Sequence, residues 1–156
     1  MAVEVYVWFP KLVSAELNIG HAAMKVDGGS PPSVVYISRW PGSYAGLIVS
    51  SAVNQRYADD IKAEGGPPAV VRLTKLDETA IKRAVMSNFT LSLYSFLSYN
   101  CATQVGKCLN EGIPGGAVVD IALGSVVGQY QALKHGAINT PWNLYLYAQS
   151  LRPVFG

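Results

Sequence analysis

Two neighbouring segments decide how this chain is read: Asn18-Ile19-Gly20-His21-Ala22-Ala23-Met24-Lys25-Val26 and Val34-Val35-Tyr36-Ile37-Ser38-Arg39-Trp40-Pro41. In an extended chain successive side chains point to opposite faces. Ala22, Met24 and Val26 then share one face of the first segment, and His21, Ala23 and Lys25 share the other. Between the segments, Asp27-Gly28-Gly29-Ser30-Pro31-Pro32 is a cluster of turn residues, so the pair reads as an antiparallel hairpin. The return strand brings its Tyr36–Arg39 end alongside His21. Tyr36 and Ser38 fall on one face and Ile37 on the other, but a one-residue slip would exchange them, so the register stays open.

The rest of the chain extends this core. Val3-Glu4-Val5-Tyr6-Val7-Trp8-Phe9 is rich in β-branched and aromatic residues and stops at Pro10, which predicts a strand. Residues 41–66 carry Gly42, Gly46 and Gly65-Gly66; they read as an irregular excursion with one short helix near 55–63, and as the candidate lid. Ala69–Leu73 predicts a further strand. Thr74-Lys75-Leu76-Asp77 has the form of a capping box, and the helix it opens repeats Ile81, Val85 and Phe89 inward with Lys82 and Arg83 outward. A second helix runs from Asn100 or Cys101 to Gly112, with Pro114 as its stop, and a third covers about 118–135. The tail, 140–151, is aromatic and punctuated by proline. Strands precede helices, the order of an α+β domain, and no linker divides residues 1–156.

Composition narrows the function. Of 156 residues, 50% are hydrophobic and 14% charged, which excludes a disordered chain. Twelve basic against ten acidic residues leave +2, with no run of Lys or Arg, so nucleic acid is not an expected partner. The longest apolar stretches, 45–53 and 117–128, are too short for a transmembrane segment, and the second contains Asp120. The first ten residues lack the basic start of a signal peptide, so synthesis in the cytoplasm is expected. The low charge leaves room for a peripheral contact with a membrane.

Cys101 is the first candidate for chemistry. It opens the predicted second helix, where main-chain N–H groups and the positive end of the helix dipole favour thiolate and could hold an oxyanion. Cys108, seven positions on, is roughly 10 Å away along the helix and reads as core. His135 reads as a helix C-terminal cap. A Cys–His dyad therefore has one candidate pairing, Cys101 with His21. Zinc would have too few ligands, and no metal or other cofactor is implied. The plain alternative is a buried core thiol and a histidine without a role, in a non-enzymatic binding module.

Gly20-His21-Ala22-Ala23-Met24 on one strand, Tyr36-Ile37-Ser38-Arg39-Trp40-Pro41 on the next and Tyr99-Asn100-Cys101 opening a helix together resemble a circularly permuted papain-like fold. That group includes NlpC-type relatives, lecithin:retinol acyltransferase-like enzymes, permuted isopeptidases and small bacterial toxin or effector domains. The resemblance spans about Val3 to Gly112. It implies a small antiparallel sheet packed against helices, with Cys101 as nucleophile and His21 as general base. The imidazole-orienting residue would come from the strand after the histidine: Ser38 first, Tyr36 second. Tyr36, Trp40 and Asn100 are the expected substrate contacts. The implied reaction is acyl hydrolysis or transfer through a thioester. Lipid acyl esters lead as substrate, ahead of cell-wall peptides and isopeptides. Likeness to effectors implies export by a dedicated secretion system and a neutralising immunity protein as partner.

Overall fold

In the computed structural model the described residues are 1–13, 16–42, 50–89, 93–94, 100–114 and 140–156. A six-stranded antiparallel sheet forms the centre, built from β1 (Ala2–Trp8), β4 (His21–Asp27), β5 (Val35–Pro41), β6 (Ser50–Asn54), β7 (Ala69–Leu73) and β8 (Leu93–Tyr94). Their spatial order is β7-β1-β4-β5-β6-β8. Two three-residue strands, β2 (Lys11–Val13) and β3 (Glu16–Asn18), form a separate hairpin between β1 and β4. The helices are α1 (Tyr57–Glu64), α2 (Glu78–Phe89), α3 (Cys101–Glu111) and α4 (Pro141–Phe155). The fold is thus α+β with a small antiparallel sheet, as the order of elements predicts.

Alternation sorts the side chains into two layers. Val3, Val5 and Val7 of β1, Ala22, Met24 and Val26 of β4, and Val71 and Leu73 of β7 are fully buried in one cluster. The same cluster takes Ile81 and Val85 of α2, Cys101, Ala102, Val105, Cys108 and Leu109 of α3, and Leu144, Ala148 and Leu151 of α4. Each large apolar side chain buried there contributes roughly 1.5–3 kcal/mol. The opposite face carries Tyr6, Trp8 and Ala23, with Tyr36 and Ile61 of α1 packed on them. The β4–β5 register, open in the sequence, is Ala23↔Ser38, Met24↔Ile37 and Lys25↔Tyr36.

Several expectations are corrected. Lys82 does not face out: it is 1% exposed, and its Nζ donates to the carbonyls of Pro31 and Ser33 at 2.6 and 2.5 Å. Its long stem reaches back over the turn between β4 and β5 and satisfies carbonyls there. The cap of α2 is Asp77, whose Oδ1 accepts from Ala80 N at 2.9 Å, while the main-chain N–H of Thr74 donates to Phe155 O. Residues 41–66 contain β6 as well as the short helix. The proline-punctuated tail is a helix: Thr140 caps it by accepting from Asn143 N, and Pro141 sits in its first turn, where a missing N–H costs nothing. The helix expected over 118–135 and its cap His135 lie outside the described residues, as does Tyr99.

Candidate functional site

Gly20 sets the start of β4. Its φ of +81° turns the chain in a way an L-residue resists, and a Cβ there would lie 2.3 Å from the Trp8 carbonyl oxygen. The next residue, His21, pairs with Trp8 across β1 and is 2% exposed. Continuing the β4–β5 register puts Trp40 beside His21. The two rings stack, with centroids 4.3 Å apart and planes at 27°. Trp8 flanks the imidazole from β1 at 5.6 Å.

Ser38, fully buried, holds the imidazole. Its Oγ lies 2.8 Å from His21 Nε2 and accepts from Trp40 Nε1 at 3.1 Å. The other imidazole nitrogen, Nδ1, is therefore the one not held by Ser38. Tyr36 does not reach the histidine; its hydroxyl donates to Asp60 Oδ2 at 2.5 Å. Asp60 comes from the first turn of α1 and is fully buried. Its Oδ1 accepts from Trp40 Nε1 at 2.8 Å and lies 3.9 Å from His21 Nε2. Sequence reasoning placed the helix but missed Asp60, which is 39 positions from His21. The available signal is faint: Asp60 and Glu64 fall one turn apart on the inner face of the helix.

Burial pushes the His21 imidazole down to about 4, with the Asp60 charge acting in the opposite sense. At neutral pH the ring is therefore uncharged and carries a lone pair. Burial, and then the hydrogen bond to Asp60, raises the Tyr36 hydroxyl well above the usual tyrosine range, so it stays a donor.

Asn100 and Cys101 sit at the start of α3. The Asn100 side chain caps the helix, accepting from Thr103 N at 2.9 Å and from the Thr103 hydroxyl at 3.1 Å. Cys101 is the first helical residue, 5% exposed, and its neighbours belong to the helical face of the sheet, whereas the His21 ring lies on the α1 face. Both nonetheless belong to the same end of the sheet. Helix α3 packs on β4 and β5, and its last turn is tied by Gly112 O to Asp77 N at the start of α2. That start abuts the Gly28–Gly29 turn at the far end of β4. Helix α3 therefore runs along β4 in the same sense and begins at the His21 end, but Cys101 stays buried in the core on the helical face, and the structure does not bring its thiol and the imidazole together.

An open groove of about 560 Å³ adjoins the Asp60 side, with Tyr6, Tyr36 and Tyr57 in its wall and Lys25, Asn54 and Arg56 around it. Among the described residues no group of three or more His, Cys, Asp and Glu side chains could hold a metal ion. Among them, too, no helix is long and apolar enough to cross a membrane.

No protein-family model matches the chain, no curated protein matches it, and no solved structure matches its fold.

Proposed function

We propose that the protein is a thiol-dependent acyl hydrolase or acyltransferase with a permuted papain-like arrangement, in which Cys101 is the nucleophile and His21 the general base. The observation that carries this reading is a buried imidazole held through Nε2 by Ser38, at the end of the sheet where the helix bearing Cys101 begins. The reading requires Cys101 and His21, which start on opposite faces of the sheet, to meet around the start of β4; the thiol proton then passes to His21 Nδ1 as Sγ bonds to the acyl carbon. The main-chain N–H groups at the start of α3 stabilise the oxyanion. Collapse breaks the bond to the leaving alcohol or amine, which takes the proton from the imidazolium and leaves a thioester. Water attacks the thioester and gives its proton to His21; the C–S bond then breaks, the acid leaves, and the imidazolium returns its proton to Sγ, restoring the thiol. In a transferase an acceptor hydroxyl or amine takes the place of water. Ser38 orients the ring, and Trp40 covers it.

Lipid acyl esters are the leading substrates. Their support is the low charge of the chain; the tyrosine-walled groove lies on the α1 face, and its Lys25 and Arg56 pair with Glu4 and Asp59. Cell-wall peptides and isopeptides are the competing substrates, and the effector reading adds an immunity protein as partner. The test is intact-mass spectrometry after incubation with short-chain thioesters, phospholipid vesicles and cell-wall peptides, with Cys101→Ala and His21→Ala in parallel. The expected result is an acyl adduct on Cys101, lost in the first variant and slowed by about a hundredfold or more in the second. An inert Cys101 with every substrate class favours the binding module.

A further inference from the structure

We infer that Asp60 is a positioning residue that keeps the His21 proton on Nε2 and so leaves the lone pair on Nδ1. The inference rests on the proposed role of His21 as a base, but its readout does not. A neutral imidazole beside Ser38 has two choices. Either Nε2–H donates to Ser38 Oγ, or the Ser38 hydroxyl donates to a bare Nε2 and the proton sits on Nδ1. Only the first leaves Nδ1 able to take a proton from a thiol.

The surroundings discriminate between the two. The Asp60 carboxylate is fully buried, and Oδ1 faces Nε2 at 3.9 Å. A negative oxygen at that distance favours a hydrogen on Nε2 over a lone pair, and water does not screen it there. Asp60 is itself fixed from two sides, by the Tyr36 hydroxyl on Oδ2 and Trp40 Nε1 on Oδ1. Both groups donate, so the carboxylate is held as an acceptor. Trp40 Nε1 also approaches Ser38 Oγ, at 3.1 Å. The network thus runs from α1 through β5 to the strand that carries His21: the Tyr36 hydroxyl turns to Asp60, and Trp40 stacks on His21 while its Nε1 donates to Asp60.

The test is the nitrogen NMR of His21 in the full-length, ¹⁵N-labelled chain at neutral pH, assigned by its loss in His21→Gln. The expected wild-type pattern is a pyrrole-type Nε2 and a pyridine-type Nδ1. In Asp60→Asn the two signals should converge or exchange. Tyr36→Phe, which removes one donor from Asp60 but keeps its charge, should retain the wild-type pattern. A wild-type proton on Nδ1 overturns the inference without any variant, and so does an unchanged pattern in folded Asp60→Asn. If the pattern depends on Asp60 while Cys101 forms no acyl adduct, the proposed function falls and this inference stands. If Cys101 forms the adduct while the pattern is indifferent to Asp60, this inference falls and the proposed function stands.

Discussion

Burying His21 makes the stability of the fold depend on acid. An ordinary histidine titrates near 6.5, and His21 in the folded chain is held down to about 4. Lost hydration of the imidazolium is the larger cause, and the neighbouring Asp60 charge only partly offsets it. Between those two values the unfolded chain binds a proton that the folded chain refuses. Stability is therefore full above about pH 6.5 and falls as the pH drops toward about 4. The shift corresponds to about 3 kcal/mol, a large part of the 5–15 kcal/mol that typically holds a domain together. Urea unfolding of wild type and His21→Asn, followed from neutral pH down to pH 4, isolates this contribution. The variant loses packing against Trp40 and Trp8, which offsets its curve at every pH, but it has no imidazole to titrate. Glu64, raised by burial, favours the fold as the pH falls, and it is present in both proteins. The gap between the two curves should therefore narrow by about 3 kcal/mol across the window. Parallel curves would refute the burial argument.

Two further predictions concern the frame around the site. Gly20→Ala should cost more than ~2 kcal/mol in urea unfolding, because a positive φ and a Cβ 2.3 Å from a backbone oxygen cannot both be relieved without moving His21. Lys82→Met keeps the apolar stem but leaves the Pro31 and Ser33 carbonyls without their charged donor; a loss of about 2 kcal/mol is expected in the same assay, and a loss near zero would contradict a clamping role.

The sequence shows the sheet better than its surroundings. Period-two alternation in 3–9, 21–26 and 34–38 is a local signal, and the structure places these stretches in β1, β4 and β5 with Ala22, Met24 and Val26 on the helical face. Strands β2 and β3 are three residues each, too short for a period to register. The helix at 141–155 carries prolines at both ends and many aromatics, which hide the 3.6-residue repeat; only Thr140 before Pro141 marks its start. Lys82 reads as solvated because charge usually is, and the carbonyls that bury it come from a turn about fifty positions away. The same distance problem hides Asp60. Its importance lies in which side chains meet it, Tyr36 and Trp40, and that depends on how α1 docks on β5. Ser38 is within reach of the sequence because it needs only the hairpin and the period-two alternation of its return strand; the register itself comes from the structure.

The central claim is that Cys101 is an activated thiol served by His21. The direct measurement is the rate of iodoacetamide alkylation of each cysteine in the folded protein at neutral pH, resolved by peptide mass spectrometry. Cys108, also buried in the same helix, serves as the internal reference. The account predicts that Cys101 reacts faster than Cys108 and that His21→Ala brings it down to the Cys108 rate. Alkylation of Cys101 no faster than Cys108, with both thiols reacting only on unfolding, would contradict it.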